Sequence, residues 1–229
     1  METLHNGFTL KLTPNSFPLS TDSIALAGFI SIPKKASVLD LGSGCGTLGL
    51  LICAQHSDCK VTGIEINPQD HEAALDNAFQ NQITGRLNSI CADVGNITSF
   101  IKPGSFSVCV SNPPYFSSGP KSKAVPLARR DDTLSLDCLF SGAAWALRYG
   151  GDFFLVHRPE RLAEIFACGA KYHLEPKKLQ LLRHKAGGPI TLVLVQCRKG
   201  GKPGLIWDEQ FLYDDQNNHS DYYQKLYHL

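Results

Sequence analysis

The sequence predicts an α/β protein built on a doubly wound, mostly parallel seven-stranded sheet that ends in an antiparallel hairpin. Two observations carry this. Short apolar β-type runs alternate with helical patterns from residue 38 to about residue 169, and such alternation places a parallel sheet between two layers of helices. The rhythm then changes. KLQLLRH (178–184) and ITLVLVQC (190–197) are separated only by KAGGP, and a connection that short joins antiparallel strands.

Taken in order, VLDL (38–41) runs into a glycine-rich turn and a helical stretch at 47–55. KVTGIEI (60–66) is followed by Asn67-Pro68, a cap and a first-turn proline, which open a helix through about Gln80. LNSICAD (87–93) and FSVCVS (106–111) are the next strands, followed by a helix from about Thr133 to Leu147, the strand DFFLVH (152–157) and a helix near 159–169. Residues 1–36 carry FTLKL and STDSIALAGFI, where Ser20 or Thr21 is positioned to cap an amphipathic helix. They are read as an N-terminal extension packing on a core of residues 37–229, a single domain overall. The stretch SSGPKSKAVPLARRDD (117–132) has the composition of a loop with a basic end.

With 229 residues, 43% hydrophobic and 19% charged, the chain is long enough for one good core and short for two domains. A formal net charge of +1 argues against a protein that coats nucleic acid, and leaves room for a local basic face. No apolar run reaches membrane-spanning length, and METLHNGFTLKL lacks the pattern of a secretory signal, so the expected location is the cytoplasm and no membrane partner is expected. The eight cysteines are scattered in apolar runs with no C-x-x-C and no Cys/His pair at zinc spacing. They read as small buried hydrophobes, and no metal is expected. The sequence leaves the oligomeric state open and favours a monomer.

The turn after the first strand, VLDLGSGCGTLGLL, carries Gly42, Gly44 and Gly46 as G-x-G-x-G, and Gly44, Gly46 and Gly49 as G-x-G-x-x-G. On its own it fits either S-adenosylmethionine or a dinucleotide, since both need backbone to approach a ligand at the carboxyl ends of the strands. Asp40, within the strand end, favours the former: a carboxylate there repels a pyrophosphate and suits an ammonium group. Glu65, ending the second strand, is placed to accept two ribose hydroxyls, and Asp93, ending the third, an adenine amino hydrogen. Each acid alone also reads as a solvated loop carboxylate or a helix cap. Three at successive strand ends point to a ligand.

The fourth strand ends in N-P-P-Y, residues 112–115. Pro113 and Pro114 fix φ and lack N–H groups, and Pro113 drives Asn112 out of helical geometry, so the chain leaves the strand stiff and extended. An amide oxygen and a main-chain oxygen then stand as rigid acceptors beside the face of Tyr115, which suits a planar group bearing an NH2. An ordinary Asn-Pro turn has the same composition.

These residues resemble the class I methyltransferases that carry N-P-P-Y, which act on adenine N6 or glutamine N5. Across nearly the whole chain the resemblance is to the tRNA(Val) adenine-37-N6 methyltransferase family, through LSTDSIALAGF (19–29), VLDLGSGCGTLGLL (38–51), GIEINP (63–68), NPPYF (112–116), ARRDD (128–132), LVHRPERLAEI (155–165) and ITLVLVQCRKGGKPGL (190–205). The resemblance implies a Rossmann-like fold, S-adenosylmethionine as cofactor and RNA, with tRNA foremost, as substrate. It implies catalytic roles for Asn112, Pro113, Pro114 and Tyr115, and cofactor contacts from Thr21, Asp40, Gly42, Gly44, Gly46, Glu65, Asp93 and Asn112, with Asp22 beside Thr21. Substrate contacts fall to Tyr115, Phe116, Lys121, Lys123, Arg129 and Arg130, with His157, Arg158 and Arg161 placed to meet phosphate, although a histidine at a strand end is more often structural. Asp131 and Asp132 stand where the family leads one to expect a Glu or His, which leaves the role of that acid open. Protein glutamine-N5 methylation is the rival within the motif, although 36 residues are too few for the helical docking domain such enzymes carry before the core. DNA adenine methylation needs a sequence-reading domain with no counterpart here. An NAD-dependent oxidoreductase or a non-catalytic cofactor sensor leaves N-P-P-Y unexplained.

Overall fold

The computed structural model describes residues 2–4, 7–14, 16, 18–115 and 134–227. Two short strands, β1 (Glu2–Thr3) and β2 (Thr9–Leu10), pair antiparallel apart from the main sheet. Helix α1 (Thr21–Phe29) follows, capped by Ser20, whose side chain accepts the Ser23 N–H at 3.4 Å. The alternating region then folds as β3 (Ser37–Leu41), α2 (Thr47–Gln55), β4 (Lys60–Glu65), α3 (Pro68–Gln80), β5 (Leu87–Cys91), a 3-10 turn at Val94–Ser99 and β6 (Phe106–Ser111). Helix α4 (Leu136–Ala146), β7 (Leu147–His157), α5 (Leu162–Lys171), β8 (Leu174–Lys185), β9 (Ile190–Lys199), β10 (Ile206–Tyr213) and α6 (Asp221–Tyr227) complete it.

The main sheet has the order β10-β8-β9-β7-β6-β3-β4-β5. Strand β9 runs antiparallel to both β7 and β8, and the remaining pairs are parallel. The doubly wound fold and its closing hairpin are those read from the sequence. The strand count is corrected from seven to eight: β10 lies parallel to β8 at the sheet edge. Its sequence, IWDEQFLY, buries only Leu212, because an edge strand needs one ladder and no apolar face on either side.

Neighbouring residues of each central strand enter different cores. Val38, Val108, Val110, Phe154 and Val156 pack with α1 and α2, while Leu39, Leu41, Cys109, Phe153 and Leu155 pack with α4 and α5. Burial on both faces is why these strands read as continuous apolar runs rather than alternating ones. Helix α1 is buried at six of its nine positions, Ser23, Ile24, Ala25, Leu26, Ala27 and Phe29, so the amphipathic pattern expected of it gives way to an almost wholly apolar one. Helix α4 starts at Leu136 because the Ser135 hydroxyl accepts the Cys138 N–H at 3.2 Å and sets the first turn. All eight cysteines are free. Six are buried as expected, while Cys138 is half-buried and Cys91, at the end of β5, is exposed. Among the described residues no helix is long and apolar enough to cross a membrane.

Candidate active site

The carboxyl ends of β3, β4, β5 and β6 open on a cavity of about 1020 Å³. Its floor is the turn after β3. The N–H groups of Gly42 and Ser43 both bond to the Ile64 carbonyl at 3.0 Å, which ties the turn to the end of β4. Gly44 has φ +53°, and a Cβ there meets nothing within 4 Å, so its backbone faces open space and is available to a ligand. At Gly46, with φ +79°, an added Cβ would come within 3.2 Å of the Ala74 Cβ of α3, so this glycine serves helix packing; it is absent from the cavity wall.

Three acids stand at this rim. Asp40 is 2% exposed and its Oδ2 has no hydrogen-bond partner among the described residues. Burial, and then the nearby Glu65 carboxylate, push its pKa up to about 7. Glu65 is buried too, with Oε2 accepting the Gly44 N–H at 2.7 Å and Oε1 the Asn67 N–H at 2.8 Å; burial is the main force raising its pKa above the ordinary value. Asp93 caps the 3-10 turn, its Oδ1 accepting the Gly95 N–H at 2.8 Å. The bland capping role and a place in the cavity wall therefore coexist in one residue.

On the opposite wall, the Ser111 hydroxyl bonds to the Leu41 carbonyl at 2.7 Å and fixes the end of β6 beside the glycine turn. Asn112 follows directly. Its Nδ2 donates to the Ser23 hydroxyl at 2.9 Å, and its Oδ1 accepts the Tyr115 hydroxyl at 2.8 Å. The Tyr115 ring meets His157 edge-on with centroids 5.1 Å apart, and the Arg158 guanidinium lies 5.1 Å from the ring centroid. Burial, followed by the Asp22 carboxylate, holds the Tyr115 hydroxyl well above its ordinary pKa, so it is a proton donor at neutral pH.

His157 is 2% exposed; burial lowers its pKa to about 4, and its Nδ1 accepts the Arg158 N–H at 2.8 Å. It is a neutral prop for Tyr115, the structural one of the two roles that the sequence leaves to a histidine at a strand end. Arg161 is held by both Glu164 oxygens at 2.7 and 2.8 Å, whereas Arg158 does line the cavity. Thr21 departs from expectation as well: its hydroxyl pairs with Tyr227 at 3.2 Å and is not in the cavity wall, which Ser20, Asp22 and Ser23 form instead. Asp40, Gly42, Gly44, Glu65, Asp93, Asn112, Pro113, Pro114 and Tyr115 all line it. Phe116, Lys121, Lys123, Arg129, Arg130, Asp131 and Asp132 lie outside the described residues.

Residues 21–166 match the family model of the methyltransferase small domain. The chain belongs to this family of S-adenosylmethionine-dependent methyltransferases. It is 33% identical over 162 residues to the tRNA1(Val) (adenine(37)-N6)-methyltransferase of Shewanella halifaxensis, a match that covers 69% of this chain and 64% of that one. The enzyme of the same name from Bacteroides thetaiotaomicron is 26% identical over 223 residues, 96% of this chain and 92% of its own. Among solved structures, a protein described as a predicted O-methyltransferase from Agrobacterium tumefaciens superposes with a TM-score of 0.77 at 19% identity, covering 91% of this chain and 96% of that chain. The geranyl diphosphate C-methyltransferase of Streptomyces coelicolor, solved with S-adenosyl-L-homocysteine, gives 0.59 at 12% identity over 77% and 79%. These two likenesses show the fold.

The cavity suits the cofactor of the family. Asp40 Oδ2 and Ser43 Oγ are buried polar atoms without hydrogen-bond partners among the described residues, and both residues belong to a wall whose backbone is bare at Gly44. A ligand bearing an ammonium group would satisfy the Asp40 carboxylate. Most of the remaining wall residues carry no site signal in the sequence, among them Ser23, Asp70 and Ile66, the last an apolar side chain 51% exposed directly after Glu65. The exposure of Ile66 is the structural signal, since a large aliphatic residue at a strand's carboxyl end with nothing to pack on is poised for a flat ligand.

Proposed function

We propose that this methyltransferase acts on the exocyclic N6 of adenine in RNA, with tRNA as the substrate class, through a single domain of residues 37–229 on which residues 1–36 pack. The observation that carries the reading is the Asn112 amide, anchored on one side by Ser23 and presenting Oδ1 beside an aromatic ring at the mouth of a glycine-floored cavity. The names of the relatives support the target. Asp40, Gly42, Gly44, Glu65, Asp93 and Asn112 would hold S-adenosylmethionine, which supplies an electrophilic methyl group.

Adenine N6 is a poor nucleophile because its lone pair is delocalised into the ring. Asn112 Oδ1 and the Pro113 carbonyl would each accept a hydrogen bond from one N–H of the amine, favouring a pyramidal nitrogen with its lone pair aligned. As the N–C bond forms, the bond from the methyl to the donor's sulfonium breaks to leave a neutral thioether, and the surplus N–H proton passes to water. Positioning and electrostatics suffice, with no strong base. Without substrate the Tyr115 hydroxyl occupies Asn112 Oδ1, so the incoming amine takes the place of that O–H while the ring turns to stack on the base. Tyr115→Ala is therefore expected to lower kcat/KM by about tenfold or more, the worth of one stacked base. Tyr115→Phe keeps the ring and removes a competitor for Oδ1, and is expected to stay within a few-fold of wild type; an equal loss in both variants would remove stacking from the account.

The test of the target is direct. Total RNA from a strain lacking the gene is incubated with the protein and the methyl donor, and its nucleosides are read by mass spectrometry. N6-methyladenosine confined to the tRNA fraction is expected. A peptide glutamine methylated while tRNA is not would overturn the reading.

Basic residues Lys121, Lys123, Arg129 and Arg130 are proposed to meet RNA phosphates, since a chain of net charge +1 needs a local basic face. Neutralising one of them is expected to reduce the slope of log affinity against log salt by about one contact's worth. Filter binding of tRNA across a salt series checks it, and unchanged affinity and slope after charge removal at all four positions would discard these residues.

A further inference from the structure

The segment before α1 is fastened to α3 by side chains that imitate a neighbouring strand. Asn77 is 0% exposed. Its Oδ1 accepts the Lys11 N–H at 2.8 Å and its Nδ2 donates to the Lys11 carbonyl at 2.9 Å, so one amide satisfies both backbone groups of one residue, as a strand partner would. Asn81, one turn later, does the same for Thr9, accepting its N–H at 2.7 Å and donating to its carbonyl at 2.7 Å. The spacing explains why this works: four helical residues advance about 6.0 Å, and two extended residues about 6.6 Å. Further along the same helix face, Asp70 Oδ1 accepts the hydroxyls of Thr13 at 2.6 Å and Ser16 at 2.7 Å.

This fastening reaches the cavity by two routes. Ser16 and Pro18, at the end of the fastened segment, form part of the cavity wall. Asn77 Nδ2 also donates to the Cys45 carbonyl at 2.9 Å, inside the glycine turn that makes the cavity floor. One buried amide therefore holds the N-terminal wall and the floor in register, although Asn77 itself is not among the lining residues. We infer that Asn77 is a positioning residue for the methyl donor: it closes the N-terminal segment over the S-adenosylmethionine cavity and sets the glycine turn against it. Binding of the donor, which touches wall and floor together, then tightens the segment, and the loss of either fastening weakens the donor. The inference rests on the reading that this cavity holds S-adenosylmethionine.

The test compares S-adenosylmethionine affinity by calorimetry with amide hydrogen exchange at Thr9 and Lys11. Asn77→Ala is expected to raise Kd by about tenfold to a hundredfold, the fold-change of one or two lost buried hydrogen bonds, while kcat at saturating donor stays within about twofold. Asn81→Ala touches the segment and leaves the Asn77 to Cys45 bond alone, so a smaller rise in its Kd comes through the wall only. In wild type, adding the donor is expected to slow exchange at Thr9 and Lys11, and in Asn77→Ala that slowing is lost. Folded variants that both keep the wild-type Kd, or Thr9 and Lys11 amides indifferent to the donor, overturn the inference; should Asn77→Ala not fold, Asn81→Ala decides by the same criteria. Asp40→Asn is the control. Weak binding there with normal binding in both asparagine variants defeats this inference alone, and normal binding in all three defeats the cavity reading with it.

Discussion

Asn112→Ala is expected to lower the rate of methyl transfer by about two to three orders of magnitude, the loss seen when one preorganised hydrogen-bonding group is taken from a reacting centre. Donor binding should change by less than tenfold, because Asp40, Glu65 and the glycine turn are untouched. The geometry gives the reason for the split. Asn112 Nδ2 is fixed by Ser23 at 2.9 Å, so the amide cannot rotate freely and its oxygen points to one place, where Tyr115 meets it at 2.8 Å. Removing the amide leaves the target nitrogen planar and unaligned, and deprives Ser23 of its partner. Single-turnover rates at saturating donor, set beside Kd from calorimetry, separate the two effects. A variant that transfers methyl at the wild-type rate would take Asn112 out of the mechanism, and one whose loss of rate is no larger than its loss of donor affinity would confine it to holding the donor.

Much of this site was legible in the sequence because its parts are local. Asp40, Glu65 and Asn112 each end an apolar run, and the glycines and prolines that follow them announce the turns. What was missed depends on contacts that no local pattern encodes. Ser23 meets Asn112 across 89 positions of chain, and His157 meets Tyr115 from another strand. Of the expected pair Thr21 and Asp22 only Asp22 lines the cavity, and Ser23 joins it, for a definite reason: successive side chains of a helix point about 100° apart, and α1 is apolar nearly all round, so no polar stripe tells which of its first-turn residues faces the cavity. Strand β10 escaped notice because an edge strand with Asp208 and Glu209 carries no buried signature. Asn77 reads in sequence as one more polar position of a helix. Only the path of the N-terminal segment across α3 reveals what its amide does.

Asp40→Asn is expected to weaken S-adenosylmethionine binding at pH 8 by about tenfold to a hundredfold, and to stabilise the protein without its donor under the same conditions. The two effects have one cause. Burial and the Glu65 carboxylate raise the Asp40 pKa from 3.8 to about 7, so the folded state favours the protonated acid. The stability this contributes is fully present below about pH 4 and is lost as pH rises through about 7, where the folded protein must carry a buried charge with an unpartnered oxygen. An ammonium group placed beside that oxygen reverses the preference, because it pairs only with the ionised carboxylate. Binding therefore releases a proton in the region below about pH 7, and affinity falls as the pH is lowered there, by at most about tenfold per pH unit for one proton. The asparagine variant has no proton to release and should lose this dependence. It also keeps the shape of the wall, unlike Glu65→Ala, which unpairs the Gly44 and Asn67 N–H groups as well as removing an acceptor. Calorimetry in buffers of different ionisation enthalpy counts the proton, and thermal melts of the donor-free proteins at pH 8 read the stability. Affinity and stability moving in opposite directions is the result that a merely structural aspartate cannot give; a variant with wild-type affinity and an unchanged pH profile would dismiss Asp40 from the donor site.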